Sequence, residues 1–87
     1  MPKSEGVCVV AACFNEEDVI THFLERVLAV AGVDELVLID DGSSDATVES
    51  IRSWMKTHAG SPVTLLELTR NFGKEAAMLA GLDHVNG

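Results

Sequence analysis

Positive charge is scarce in this chain of 87 residues. Six lysines and arginines stand against fourteen acids, for a net charge of −8. That excludes bulk nucleic-acid binding, where a basic face supplies most of the affinity. Long apolar runs are also lacking. The longest early one, Val7 to Phe14, is far short of the ~20 residues of a spanning helix. Only Lys3 is basic before it, and no charged segment leads to a cleavage site, so no signal peptide is expected. The two cysteines, Cys8 and Cys13, would lie on opposite faces of a strand, about 16 Å apart and beyond disulfide reach. Two unpaired thiols point to a reducing, cytoplasmic compartment, and both are expected as small apolar core residues. No spacing of Cys and His suits a metal. No Gly-rich turn follows the first apolar run, which excludes a dinucleotide fingerprint and a P-loop. No serine sits in a nucleophile elbow. His22, His58 and His84 are dispersed and read as solvated or rim residues.

What is present is enough for one small domain. Apolar types make up 47% of the chain, too rich for disorder. A chain of this length buries roughly 60% of its unfolded surface, so its core is thin. Three apolar runs alternate with three helical patterns. GVCVVAAC (6–13) and ELVLI (35–39) are nearly continuous, as in strands covered on both faces. VTLLEL (63–68) is interrupted by Thr64 and Glu67 and reads as an edge strand. Asn15 is expected to cap the first helix, with Glu16, Glu17 and Asp18 in its first turn and Gly32 at its end. Ser44-Asp45 is expected to cap the second helix, whose stripe is Val48, Ile51 and Met55 with Trp54 beside it. Gly60 and Pro62 stop it. The third helix should start near Lys74 and, with its small residues, be largely buried. The order βαβαβα predicts a parallel three-layer α/β fold, with helices on both faces or sharing one. The final HVNG reads as the approach to another strand, so the architecture is expected to be incomplete.

In open parallel sheets, ligands bind beyond the carboxyl ends of the strands. Three loops qualify: Ala12 to Glu16, Asp40 to Asp45, and Thr69 to Lys74. Asp40 and Asp41 are adjacent carboxylates and repel unless compensated. As acceptors they suit N–H or O–H donors such as a nucleobase or a ribose diol. Asp40 is expected to hold the following turn, and Asp41 to face a ligand. Arg70 and Lys74 flank Gly73 and suit a diphosphate. Surface placement, or an Arg70 bridge to an aspartate, is the alternative. The charge is uneven: residues 1–51 hold eleven acids and two bases, residues 52–87 three acids and four bases. An anionic ligand therefore has to meet the cations of the second part. Phe14 either stacks on a base or fills core.

Taken together, Ala12-Cys13-Phe14-Asn15-Glu16, Asp40-Asp41-Gly42-Ser43-Ser44-Asp45 and the run Arg70 to Ala77 resemble the opening of family 2 glycosyltransferases of the GT-A fold. The resemblance is closest to the bactoprenol glucosyltransferase and dolichol-phosphate mannosyltransferase group. It covers essentially the whole chain. It implies that residues 1–87 are the N-terminal nucleotide-sugar-binding part of a transferase domain. Ala12, Phe14, Glu16 and Asp41 would hold the nucleobase and ribose, and Arg70 and Lys74 the diphosphate side. The implied reaction moves a sugar from a nucleoside diphosphate to a polyprenyl phosphate at the cytoplasmic face of a membrane. Ala12 stands where the family has proline and Phe14 where it has tyrosine, which loosens the turn and removes a hydroxyl but keeps stacking. The family's metal-binding D-x-D and its catalytic base follow a segment like the one ending at Gly87. No cofactor is therefore expected within this chain, whereas Mg or Mn is expected in the complete enzyme. Membrane contact is expected only through downstream segments.

A second reading belongs to another class: a non-catalytic binding or interaction module. The resemblance places strand 1 inside a larger sheet, so its apolar edge would be open here, and open edges pair with other chains. A clean monomer at high concentration in size-exclusion chromatography would count against self-association by that edge. A receiver-like signalling domain ranks below both, since its acidic pair follows the first strand and this one follows the second.

Overall fold

The run Leu36 to Ile39 is wholly buried because helices cover both of its faces. The structure, a computed structural model, describes residues 6–87. Residues 1–5, Lys3 among them, lie outside the described residues. The elements are β1 (Val7–Cys13), α1 (Ile20–Leu28), β2 (Val33–Asp40), α2 (Thr47–Thr57), β3 (Val63–Glu67) and α3 (Lys74–Asn86). All strand pairs are parallel, in the order β1-β2-β3.

Side chains alternate across a strand, so β2 feeds two cores. Leu36 and Leu38 join Cys13 on β1, Val63 on β3, Ile20 and Leu24 on α1, and Ile51 and Trp54 on α2. Val37 and Ile39 face the other way, with Val10, Ala12, Leu66 and Ala77 of α3. Thus α1 and α2 share one face and α3 alone covers the other. α3 lies over β1 and β2, so the connections change face beside β1. That change of direction opens a crevice at the strand ends. Gly81 permits the close approach of α3: a Cβ there would lie 2.4 Å from Ile39 Cδ1 and 2.7 Å from Val10 Cγ1.

β3 stands at the sheet edge, as its interrupted pattern predicts, and its exposed Glu67 pairs with Arg52 of α2. Among the described residues β1 pairs only with β2. Three expectations are corrected. α1 begins five residues after Asn15, because Asn15 adopts φ 53 and its side chain bonds the second loop instead of its own helix. It also ends before Gly32, which turns with φ 90 in the connection to β2. α2 begins at Thr47 directly after the expected cap, with Asp45 Oδ1 accepting from Thr47 N at 2.9 Å, and Trp54 joins Ile51 of its stripe in the core. α3 buries only Ala77 and Gly81. Leu79, Leu82 and Val85 stay exposed, since a single helix on that face has no outer layer.

Cys8 is the third correction: it is exposed on β1, beside Glu35. Cys13 is buried, and burial, then the neighbouring Asp40 carboxylate, push its thiol up to about 12. A thiolate reagent at pH 8 should label one thiol readily and the second only on unfolding. Equal labelling rates in the folded protein, followed by mass spectrometry, would contradict this placement.

Candidate functional site

The three loops leave the sheet side by side because the strands end in register. Cys13 pairs with Asp40, and Asp40 with Glu67. One further bond on each side, Asp41 N to Cys13 O at 2.8 Å and Leu68 N to Asp40 O at 2.9 Å, carries the ladder to the loops.

The first and second loops are tied by polar contacts. Asn15 N donates to Ser43 Oγ at 2.9 Å, and Asn15 Oδ1 accepts from Ser44 N and Asp45 N at 2.9 and 3.3 Å. Glu17 Oε1 accepts from Ala46 N at 2.8 Å. These acceptors satisfy N–H groups just ahead of α2, where a helix start leaves donors unpaired. The buried Thr47 hydroxyl accepts from Glu16 N at 2.8 Å and donates to Asp45. Partial desolvation raises the Asp45 carboxyl, but bonds from the Thr47 hydroxyl, Thr47 N and Glu17 N outweigh it and hold the group below its ordinary value.

The two adjacent aspartates are both buried, at 2% and 3% exposure, and are compensated by different donors. Asp40 accepts from Ser43 N at 2.9 Å and Ser43 Oγ at 2.5 Å, and so holds its own turn. Asp41 turns to the third loop. It accepts from Phe72 N at 2.9 Å, Gly73 N at 3.1 Å and Asn71 Nδ2 at 3.0 Å. Gly42, with φ 73, lets the second loop pass against the backbone of Arg70 and Asn71.

A cavity of about 160 Å³ lies where these loops meet, lined by Ala12, Cys13, Phe14, Glu16, Asp41 and Lys74. A second hollow of about 230 Å³ on the α1 side shares Ala12, Cys13 and Glu16 with it. Each is smaller than the roughly 300–1,000 Å³ of ordinary ligand sites, and the two adjoin at those three residues. Five of the six residues singled out from the sequence thus line one cavity. Phe14 is exposed there and does not fill core. Arg70 does not line it: its guanidinium lies over the Phe72 ring, 4.7 Å from the centroid. Sequence reasoning missed the Thr47 hydroxyl and the Asn71 amide. Asp45-x-Thr47 carried a local signal, whereas Asn71 acts across loops and carried none.

Two larger hollows lie elsewhere. One, about 490 Å³, is at the opposite end of the strands, beside Asp34 and Glu35, with no cation among the described residues of its wall. The other, about 530 Å³, is a shallow groove between α1 and α2. Among the described residues neither offers an anion a positive charge. Among the described residues no group of three or more His, Cys, Asp or Glu could hold a metal ion. Asp40 and Asp41 are already engaged by protein donors, so the residues present do not fit a divalent-ion site.

The profile of "Glycosyl transferase family 2" matches residues 8–87. The chain belongs to that family. A dodecaprenyl-phosphate galacturonate synthase of Rhizobium johnstonii is 43% identical over 98% of this chain and 26% of its own length. A bactoprenol glucosyl transferase of Shigella phage SfV is 42% identical over 93% and 27%. A mannosyltransferase of Pyrobaculum calidifontis, solved in complex with GDP-Man and Mn2+, superposes with TM-score 0.82 at 30% identity. It covers 88% of this chain, which spans 23% of it. The expected GT-A arrangement of alternating strands and helices, and the resemblance to polyprenyl-phosphate sugar transferases, are borne out. The chain spans about a quarter of the length of these family 2 relatives. Among the described residues no helix is long and apolar enough to cross a membrane.

Proposed function

We propose that this family 2 chain forms the nucleotide-binding part of a transferase that moves a sugar from a nucleoside diphosphate to a polyprenyl phosphate. The observation that carries the reading is the convergence of Phe14, Glu16, Asp41 and Lys74 on one cavity at the strand ends. Phe14 offers an exposed ring for a base to stack on. The Glu16 carboxylate and the remaining acceptor position of Asp41 suit ribose hydroxyl or base N–H donors. Lys74 is the cation of the cavity wall and faces the diphosphate, at the start of a helix whose first N–H groups favour an anion. Arg70, outside the wall, adds positive charge on the same side. The relatives' names support polyprenyl phosphate as acceptor, and the nucleotide sugar in the solved mannosyltransferase supports the donor. The manganese of that complex supports metal use in the complete enzyme. The described residues do not themselves fit a metal ion. The complete protein acts at the cytoplasmic face of a membrane, the side on which unpaired thiols persist.

Titration of the chain with UDP or GDP and with the matching nucleosides tests this. Lys74→Ala should weaken the diphosphate by about 1–2 kcal/mol, the scale of a partly solvated charged contact, and leave the nucleoside unchanged. Equal losses for both would place Lys74 away from phosphate.

A further inference from the structure

β1 stands at a sheet edge without the devices that keep such edges single, which are charge, proline or a covering segment. β3, at the other edge, follows Pro62 and ends in Glu67, paired with Arg52. Val7–Cys13 holds no charged residue and no proline. Val7 N donates to Gly32 O at 3.0 Å, and Cys13 O accepts from Asp41 N at 2.8 Å. The odd residues thus turn their main chain to β2, and the alternate ones turn away. The N–H and C=O groups of Cys8, Val10 and Ala12 point past the sheet, where among the described residues no strand pairs with them.

Both helices beside that edge carry apolar residues toward it. Lys74 of α3 shares a cavity with Ala12 and Phe14 at the end of β1, so the side of α3 that bears Lys74 is the β1 side. Met78, Leu82 and Val85 follow Lys74 at helical spacing, and Leu82 and Val85 are exposed. On α1, Thr21 and Glu25 face α2, and the other flank sets exposed Val19 and half-buried Phe23 beside Ala12 and Cys13. β1 and these flanking residues of α3 from Met78 to Val85 bear no charge, so the −8 of the chain sits elsewhere.

We propose that this edge takes a second copy of the chain: β1 pairs antiparallel with the partner's β1 about a two-fold axis that passes through the sheet at Val10. That register sets Val10 opposite the partner's Val10 and Cys8 opposite the partner's Ala12, so all three outward residues form hydrogen-bonded pairs. The same axis brings the two α3 helices together. α3 lies over β1 and β2 alike, half a strand spacing inside β1, and the axis lies half a spacing outside it. With strands about 4.8 Å apart, the two helix axes stand about 10 Å apart, the distance of packed helices. Gly81 lies over Val10, so the antiparallel helices meet at that level. Leu82 faces the partner's Leu82, and Met78 faces the partner's Val85. One symmetry operation therefore pairs the free edge and covers the apolar flank of α3.

Size-exclusion chromatography with light scattering tests this on the 87-residue chain. Diluted from about 1 mM to about 1 μM, the span of modest interfaces, the chain should pass from dimer to monomer. A monomer throughout, or an assembly larger than two, overturns the proposal and leaves the edge to another segment or protein. Leu82→Glu sets two carboxylates face to face at the axis and should weaken the dimer about ten- to hundredfold. Leu79→Glu, on the solvent side of α3, should leave it unchanged. Both leucines are exposed, so the fold, read by circular dichroism, persists in each variant. Equal effects, or the reverse order, overturn the arrangement. Amide hydrogen exchange needs no variant. Cys8, Val10 and Ala12 should exchange more slowly as concentration rises, while Val9 and Ala11, already bonded to β2, should not change. A dimer without that alternating protection overturns the β1 pairing. None of these outcomes depends on the nucleotide reading of the cavity.

Discussion

Gly42→Ala is expected to cost about 2–5 kcal/mol of stability, the sum of a left-handed alanine and a steric overlap. The residue has φ 73, and a Cβ on it would lie 2.2 Å from Arg70 C, 2.4 Å from Asn71 N and 2.7 Å from Arg70 O. All three are backbone atoms, so no side chain can swing aside. The third loop must retreat, taking with it the bonds from Phe72 and Gly73 to Asp41. The chain should therefore lose nucleoside diphosphate binding together with stability. Gly60→Ala separates the two terms. Gly60 has φ 93 but no atom within 4 Å of a Cβ, so its alanine carries the backbone strain alone, about 1–2 kcal/mol. Urea unfolding of both variants gives the comparison. Equal costs would mean that the second and third loops do not approach this closely.

Leu38→Ala should remove about 2–5 kcal/mol, the range for a buried leucine that leaves a cavity. Leu38 is fully buried in the middle of β2, in the core shared with α1 and α2. A domain of this length has a total stability of roughly 4–13 kcal/mol, so this one change could unfold much of the population. Leu79→Ala is the control. Leu79 is 63% exposed on α3, and its loss should stay within about 0.5 kcal/mol. Thermal unfolding followed by far-ultraviolet circular dichroism reads both. Similar shifts for the two leucines would contradict the placement of the core. The functional consequence of Leu38→Ala is indirect: β2 ends in Asp40 and Asp41, and a loosened strand no longer holds the second loop in register with Cys13 and Glu67.

Much of the fold was legible because each strand and helix announces itself over a few residues. ELVLI reads as a doubly covered strand, and Leu36 to Ile39 are buried on both faces. The interruption at Thr64 and Glu67 reads as an edge, and β3 is one. Local patterns misled where a side chain works at long range. Asn15 has the chemistry of a helix cap, yet its amide oxygen serves Ser44 and Asp45 in the next loop. The small residues of α3 suggested a buried helix, but burial depends on how many layers lie outside it, which is not a local property.

The candidate site divides in the same way. The amino-acid order alone determined the alternation of strands and helices, the family, and the three loops in which acids, glycines and cations gather. Periodicity and motif spacing are properties of short stretches, so those survive without coordinates. Only the packed molecule decided which side chains share a cavity. Strand register set Cys13, Asp40 and Glu67 level, which brought Phe14, Glu16, Asp41 and Lys74 together and left Arg70 outside on Phe72. It also decided that Asp41 holds Phe72 and Gly73, because a bond between residues about thirty positions apart depends on how strands pair and nowhere on their neighbours in the chain.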